Sequence, residues 1–366
     1  MWKRLASFKY FDIPLSLASA LLVLVGLAAV YSSSLGNASL SLFYRQLTFA
    51  LLGIVCYFFC AFYNYHRLAK VNRFLYIAIV LVLLAVLVFG PSIRGSTRWI
   101  DFGFFRFQPA EFAKIIILLG LSRWLYLRRG EINSWKNIAL TFMYTAVPAV
   151  LVMLEPDLGS TLVLLAIWGG ILSISWVNKK YLLGIMLLFL VFTGFAWKFL
   201  LHDFQRTRVE VFLNPTLDPQ GRGYNVRQAT IAVGSGQLFG RGLGQGLQSQ
   251  LKFLPERQTD FIFAGLAEEI GFIGSVIILT LYGIVLVRLW RIASLARDEL
   301  GTYIVGGVLF MILLQTAINV GMNLGLLPVT GIPLPLISYG GSSLVVVLTC
   351  LGIVQNVARQ SRALRF

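Results

Sequence analysis

One stretch of the sequence, FLPERQTDFIFAGLAEE at 253–269, combines charged residues with phenylalanines in a chain of which only 13% is charged. Five of its residues are charged: Glu256, Arg257, Asp260, Glu268 and Glu269. An ionised carboxylate is able to take a proton from a reacting hydroxyl, which makes Asp260 a candidate general base. The alternative is structural, because Thr259 or Asp260 would be a natural N-cap for the helix that FIFAGLAEE predicts.

The other charges of this stretch need an explanation of their own. Glu256 lies one turn before Asp260, and Arg257 could orient either acid, so we expect both residues to take part in substrate binding. Glu268 and Glu269 are adjacent carboxylates within an apolar segment. Such charges are costly in a membrane unless they have partners or face a water-filled cavity.

A second candidate group opens the segment FQPAEFAKIII, where Glu111 and Lys114 are three residues apart. Pro109 suits a first helical turn, and residues three apart on a helix share a face and can form an ion pair. One interpretation is a structural pair that holds this helix in the protein. Because apolar residues would pack there without a desolvation penalty, the alternative is a functional pair that meets an anionic ligand.

Basic residues close to this segment favour the second interpretation. Arg98 and Arg106 precede it, and Arg45, followed by Gln46, begins another apolar segment. Together with Lys114 and Gln108, these residues could bind a phosphate-bearing group. Arg45 taken alone is equally compatible with a long side chain that reaches the membrane interface.

A third candidate region is PLPLISYGGSS at 333–343, in which two prolines exclude regular helix. Ser338, Ser342 and Ser343 then offer hydroxyls and free backbone N–H groups at a predicted helix start, where an anion could bind. Close packing of helices through small residues explains the same pattern. In EPDLGST, Asp157 most simply caps the helix that follows it.

Composition places these residues in a membrane protein. The 366 residues are 58% hydrophobic, whereas a soluble domain is about 45–50% apolar and about 25% charged. We predict an all-α integral membrane protein, a single polytopic domain over 1–366, with about ten transmembrane helices. The predicted spans are 13–34, 44–64, 73–91, 109–127, 137–155, 158–176, 181–201, 261–290, 302–325 and 338–357. The three cysteines lie in apolar stretches and are expected to be small buried hydrophobic residues.

The net charge of +16 is explained by topology rather than by nucleic acid. Basic residues concentrate in the connections on one side, so the positive-inside rule places both termini in the cytoplasm. Two connections on the opposite side, 92–108 and 202–260, carry bases as well. We expect 202–260, between predicted spans seven and eight, to be a large extracytoplasmic loop folded onto the membrane surface, with a helix near 224–233. Its glycines lack the Rossmann pattern, and no Walker A motif occurs in the chain.

Long motifs in the same order along the whole chain resemble the SEDS family of shape, elongation, division and sporulation proteins. They are FQPAEFAK, EPDLGST, GSGQLFGRGLGQG, FLPERQTDFIFAGLAEE and PLPLISYGGSS. Within the family, QSQLKFLPE and PERQTD are most similar to the rod-shape elongation branch. Gln258 stands where that branch often has histidine, a departure that leaves the neighbouring acid unchanged.

The resemblance implies a peptidoglycan glycosyltransferase of the bacterial cytoplasmic membrane that builds cell wall during elongation. Such proteins polymerise lipid II, an undecaprenyl-diphosphate disaccharide-pentapeptide, at the outer membrane face together with a class B penicillin-binding protein. Asp260 matches the family's essential loop acid. The polar residues that match at the 109–127 span are Arg106, Gln108, Glu111 and Lys114.

The chemistry of the residues is compatible with this reaction. Asp260 would take the proton of the acceptor hydroxyl, while Lys114, Arg106, Arg45 and Arg98 would stabilise the diphosphate leaving group. A divalent cation, Mg²⁺ or Mn²⁺, could share that second role.

Two functions from other classes are alternatives. The same features could belong to a lipid II flippase, or to a non-catalytic scaffold for the transpeptidase. A flippase should carry polar groups along its whole path. The sequence predicts no charged cluster near the cytoplasmic ends of the helices to complete such a path.

Overall fold

The computed structural model describes most of the chain. The described residues are 10–35, 40–90, 97–103, 106–199, 206, 210–212, 218, 222–246 and 256–362. The bases of the N-terminus at positions 3, 4 and 9, Arg94, and residues 247–255 of the large predicted loop lie outside them.

Ten long helices account for most of the described chain, and one shorter helix lies in the large predicted loop. In chain order they are α1 Ile13–Leu35, α2 Ser41–Phe62, α3 Tyr65–Phe89, α4 Pro109–Leu127, α5 Trp135–Leu154, α6 Leu158–Ile174, α7 Lys179–Phe199, α8 Arg222–Ser235, α9 Ile262–Ser294, α10 Glu299–Asn323 and α11 Gly341–Arg362. Among the described residues, seven helices are long and apolar enough to cross a membrane. The chain is therefore an all-helical integral membrane protein in its main architecture.

Two very short strands depart from the all-α prediction. β1 Ile100–Asp101 and β2 Arg106–Phe107 form an antiparallel pair in which Asp101 stands opposite Arg106. This hairpin lies within the predicted 92–108 connection and leads directly into Pro109, the first residue of α4.

Some helix boundaries differ from the predicted ones because capping residues, rather than hydropathy, decide where the helices begin. α3 starts at Tyr65, not near position 73, since the Asn64 side chain accepts a hydrogen bond from the His66 N–H. Arg67, Lys70 and Arg73 therefore lie on the first turns of α3 instead of in a loop. α11 starts at Gly341, so that Ser338 lies in the turn before the helix.

The most buried helices lie at the centre and carry the candidate residues. In the most apolar part of α11, 83% of the residues are buried, against 22% for α3. α11 packs on α2, α10 packs on α6, and α4 contacts α3, α5, α6, α10 and α11. A membrane helix enclosed by its neighbours is expected to be apolar, and polar residues in it usually belong to a functional site. α4 and α11 are enclosed helices of this kind, and both carry buried polar residues.

The glycine series of the large predicted loop packs against a break in α9. Gly271 has φ +69°, which interrupts the helix. The N–H groups of Arg241 and Gly242 donate to the carbonyls of Glu268 and Glu269, at 3.0 Å each. A β-carbon on Gly240 would stand only 2.2 Å from the Glu269 carbonyl oxygen. The glycines therefore permit two backbones to approach closely and satisfy the hydrogen-bonding groups that the break exposes.

Candidate functional site

The candidate base Asp260 lies in a turn, residues 256–261, immediately before α9, and it is partly exposed. Its carbonyl oxygen accepts hydrogen bonds from the side-chain amides of Asn319 and Asn323, at 3.1 and 2.9 Å. Its Oδ2 atom lies 3.5 Å from the position that a β-carbon on Gly331 would occupy. The two asparagines of α10 thus hold the backbone of Asp260 while its carboxylate faces the Gly331 loop.

The predicted helix cap at Thr259 or Asp260 is wrong. The N-cap residue of α9 is Phe261, and no side chain caps the helix there. The turn is instead closed by the Thr259 and Phe261 N–H groups, which both donate to the Glu256 carbonyl. Backbone hydrogen bonds and the two asparagines of α10 therefore stabilise this turn.

The turn of Asp260 is joined to the turn before α11. The Ser338 hydroxyl donates to the Thr259 carbonyl at 2.7 Å, and the Tyr339 N–H donates to the Gln258 carbonyl at 2.8 Å. Gln46 of α2 extends the connection, because its amide donates to the Ser338 carbonyl and its oxygen accepts from the Gly340 N–H. Ser338 thus holds the two turns together, with a structural role in addition to the predicted binding role.

The first turn of α11 in turn contacts the start of α4. The Gln108 N–H donates to the Ser342 hydroxyl at 3.2 Å, and the Gln108 side chain donates to Asp157 at 3.0 Å. Asp157 also accepts from the Ser160 N–H at 3.0 Å, which confirms it as the cap of α6. Ser343 is buried on the same first turn of α11. Motifs from three parts of the sequence therefore meet at the start of α4.

Glu111 and Lys114 form the predicted ion pair, with Nζ and Oε1 2.6 Å apart. Their side chains are 2% and 1% exposed. The second oxygen of Glu111 is buried and has no hydrogen-bond partner among the described residues. An enclosed pair with one unused acceptor retains capacity for a further donor, so its geometry is compatible with a ligand as well as with a structural pair.

A second acidic group lies beside this start of α4. Arg98 Nη1 is 3.7 Å from Asp157 Oδ2. Glu155, two residues before Asp157, is fully buried, and neither of its oxygens has a hydrogen-bond partner among the described residues. Burial, together with the Asp157 charge, raises the pKa of Glu155 to about 8, although Arg98 opposes the shift. The raised pKa favours the protonated form of Glu155.

Arg45 and Arg106 are exposed on the same side, around Asp101. A hydrogen bond from the Gly103 N–H, the Arg106 guanidinium and the charge of Arg45 keep the pKa of Asp101 below its usual value. Arg106 Nε lies 3.2 Å from Asp101 Oδ2. The predicted cationic cluster thus also contains the carboxylate of Asp101, which the sequence did not indicate. The cluster as a whole still has more positive than negative charges.

Arg257 has contacts different from the predicted ones. It is 8% exposed, and its guanidinium donates to the Ser33 carbonyl at the end of α1. Burial lowers the pKa of Arg257, while the charges of Glu269 and Glu268 oppose this shift. Of the two adjacent acids, Glu269 has a hydrogen-bond partner in Ser32, whose hydroxyl donates to it, while Arg257 acts on both acids through its charge.

Glu256, the other predicted binding residue of this turn, is exposed with φ +51°. Its carboxylate accepts a hydrogen bond from the Thr259 hydroxyl at 3.3 Å. It therefore lies at the surface of the turn that carries Asp260, while Arg257 anchors the buried side of that turn.

Sequence reasoning missed Asn319, Asn323 and Glu155. The two asparagines are four residues apart in an apolar segment, so they share one helix face. That spacing was the available signal, since intramembrane polar residues mark functional positions. Glu155 was not recognised as a site residue because its neighbour Asp157, as a helix cap, was sufficient to explain the motif EPDLGST.

Comparison with known proteins agrees with this geometry. Residues 10–363 match the family model FTSW_RODA_SPOVE, described as cell cycle protein. The chain belongs to this family. The match covers every element that contributes to the site, from α2 to α11. The resemblance to SEDS proteins inferred from the motifs is thereby confirmed.

Among curated relatives, the peptidoglycan glycosyltransferase MrdB of Escherichia coli (strain K12) is 42% identical over 285 residues, 78% of this chain and 76% of the relative. The stage V sporulation protein E of Bacillus subtilis (strain 168) is 37% identical over 362 residues, 96% of this chain and 98% of the relative.

Two solved structures have the same fold. A chain from a peptidoglycan synthase complex, described as coordinating polymerization and crosslinking, has a TM-score of 0.81 and 33% identity, and the match covers 96% of this chain and 98% of that one. The rod shape determining protein RodA of Thermus thermophilus has a TM-score of 0.70 and 31% identity, covering 96% of this chain and 97% of that one.

Proposed function

We propose that this protein is a peptidoglycan glycosyltransferase that polymerises lipid II into glycan strands during cell elongation. The observation that carries the proposal is a chain of contacts: Ser338, in the turn before α11, binds the Asp260 turn, and Ser342, in the first turn of α11, binds the start of α4. This arrangement joins a partly exposed carboxylate to a region rich in bases. The relatives named above as peptidoglycan glycosyltransferases support the same reaction.

The proposed reaction is a single displacement with inversion at the anomeric carbon of the donor sugar. The acceptor hydroxyl oxygen forms the new bond as its proton passes to Asp260, and the bond from the anomeric carbon to the diphosphate oxygen breaks. The diphosphate leaves with the electron pair of that bond. Lys114, Arg106, Arg45 and Arg98 stabilise its charge, as preorganised cations do in transferase sites.

A divalent cation, Mg²⁺ or Mn²⁺, is part of the proposal as a further partner of the diphosphate. The described residues contain no group of three or more histidine, cysteine, aspartate or glutamate side chains that could hold a metal ion. A cation here would therefore take phosphate oxygens of the substrate among its ligands, which is usual for Mg²⁺. Loss of polymer in chelator, and its return with Mg²⁺ or Mn²⁺, is the corresponding test.

The proposed topology has ten transmembrane helices, both termini in the cytoplasm and the Asp260 turn at the extracytoplasmic face of the cytoplasmic membrane. The arginines near the ends of α9 and α11, opposite to the Asp260 turn, support this orientation. The proposed partner is a class B penicillin-binding protein. The similarity to a chain of a synthase complex that couples polymerization to crosslinking supports that partnership.

The experiment that tests the function uses the purified full chain with its class B partner in detergent and fluorescent lipid II. We expect glycan ladders from the wild type and at least about 100-fold less polymer from Asp260→Asn. Asp218→Asn, another acid of the same predicted loop, is the matched control and should polymerise normally.

Each other outcome points to a different class of protein. No ladders from the wild type, together with translocation of labelled lipid II in vesicles, would replace the proposal with the flippase. Neither activity, with the partner still bound, would indicate the scaffold. Equal ladders from wild type and Asp260→Asn would leave a polymerase whose base is another residue.

A further inference from the structure

A second charged cluster surrounds Asp12, at the opposite ends of the helices that carry the candidate site. Asp12 is fully buried just before α1. Its carboxylate accepts from Arg288 of α9 through Nε at 2.9 Å and through Nη2, and from Arg362 of α11 at 2.6 Å. The Leu15 N–H also donates to it. The sequence prediction that no charged cluster lies at this end is therefore wrong.

A cavity of about 210 Å³ lies beside this cluster. Its lining combines the charged side chains of Asp12, Arg288, Arg291 and Arg362 with apolar ones such as Leu295. Three arginines against one carboxylate give the lining a formal net charge of +2. Since Asp12 is already hydrogen-bonded by Arg288 and Arg362, Arg291 contributes positive charge beyond what that carboxylate uses.

The position of the cavity along the helices matches the depth of lipid headgroups. Trp290 is 58% exposed on the last turns of α9, one residue before Arg291. Exposed tryptophans of membrane helices are enriched at the level of the headgroups. Leu295, at the rim of the cavity, is 51% exposed and offers apolar surface beside the arginines. The lining thus combines guanidinium groups with an apolar edge, as the junction between a lipid phosphate and its acyl chains would require.

We propose that this cavity binds the phosphate group of an anionic phospholipid. Arginine presents several N–H donors in a fixed plane that suits phosphate oxygens. Basic pockets between transmembrane helices on the cytoplasmic side are typical binding sites for anionic headgroups. Arg291 contacts the phosphate, while Asp12 keeps Arg288 and Arg362 in fixed positions around it. The site is separate from the glycosyltransferase site and does not depend on that proposal.

The test measures lipid binding to the purified full chain by native mass spectrometry in detergent. The probes are phosphatidylglycerol, phosphatidylcholine and inorganic phosphate. We expect phosphatidylglycerol to bind in preference to phosphatidylcholine, and Arg291→Gln to weaken that binding about tenfold. Arg291→Lys keeps the charge and should retain part of the affinity. Arg73→Gln is the matched control, because Arg73 is an exposed arginine of α3 that does not line the cavity.

Three outcomes would overturn the proposal. Equal weakening by Arg291→Gln and Arg73→Gln would mean that only the overall charge attracts the lipid. Unchanged binding in Arg291→Gln, with melting temperature as in the wild type, would exclude this cavity as the site. Inorganic phosphate that binds in an Arg291-dependent way, without any preference for phosphatidylglycerol, would assign the cavity to a free anion instead of a lipid.

Discussion

The two charged regions at opposite ends of α9 and α11 differ in how completely their buried groups are hydrogen-bonded. Around Asp12, both carboxylate oxygens accept bonds, from Leu15, Arg288 and Arg362. Around the start of α4, one oxygen of Glu111 and both oxygens of Glu155 have no partner among the described residues. All carboxylate oxygens of the first region accept hydrogen bonds, whereas three carboxylate oxygens of the second region accept none from the described residues.

This difference separates an acid with a structural role, Asp12, from the acids of the candidate substrate site. A buried polar group without a partner costs about 1–3 kcal/mol, so such groups persist where function requires them. The Asp12 cluster joins α1, α9 and α11 and leaves its carboxylate no further bonding capacity. The start of α4 retains unused acceptors beside arginines, which is expected of a region that is completed by a substrate.

The largest effect is expected from the buried pair of α4. Lys114→Ala should abolish polymer, at least about 100-fold, because a positive charge near the leaving group is lost and Glu111 is left buried without its partner. Lys114→Arg should rescue only part of the activity, since a planar fork replaces a point charge. Ladder assays normalised to the folded protein measure both variants, and Lys136→Ala, on an exposed position of α5, is the control.

A double variant separates catalysis from folding in this pair. Glu111→Gln with Lys114→Met removes both charges, so no unpaired charge stays buried and the melting temperature should lie near that of the wild type. Polymer should still be absent. Normal ladders from the double variant would show that the pair is structural. The start of α4 and the Asp12 cluster would then no longer differ in function.

Asp12→Ala should have the opposite pattern, a loss of stability without a loss of chemistry. Removing the acid leaves the two arginines without their partner and should lower the free energy of unfolding by roughly 3 kcal/mol. This value is near the low end for buried ion pairs because Arg362 is partly exposed. Polymer formed per folded molecule should stay within about twofold of the wild type. Thermal melting in detergent and the ladder assay measure the two properties. A variant of full stability but no activity would contradict the structural role.

The smallest effect is a pH-dependent one at Glu155. Its pKa is raised from 4.5 to about 8, so the native state keeps its proton over a range in which the unfolded chain has lost it. The free energy of unfolding should therefore fall as the pH rises from about 4.5 to about 8. Glu155→Gln removes this dependence. The variant should melt close to the wild type at pH 5 and at least about 3 °C above it at pH 9.

Glu131→Gln provides the reference for that measurement, because Glu131 is an exposed acid between α4 and α5. It should not alter the pH dependence. A Glu155→Gln variant that loses melting temperature equally at both pH values would mean that Glu155 is ionised and paired in the native state, like Asp12.

The sequence by itself determined the features that depend on short-range spacing and on hydropathy. The membrane class follows from long apolar segments, and the ion pair of Glu111 and Lys114 follows from a three-residue spacing on one helix face. Asp157 as a helix cap is equally local, because it binds the N–H of Ser160 three residues later. Each of these interactions forms within one turn of chain, where the backbone geometry is known in advance.

Only the tertiary structure decided which distant segments meet. Ser338 contacts the turn of Asp260 across 79 positions, and Asp12 contacts Arg362 across 350. Those pairings depend on how the helices pack, which apolar segments of similar hydropathy do not specify. The same reason explains the wrong cap at Asp260 and the unexpected partners of Arg257. For Asp260 and for Arg257, the neighbouring sequence suggested a plausible local contact. In the structure, the asparagines of α10 and the end of α1 contact this turn.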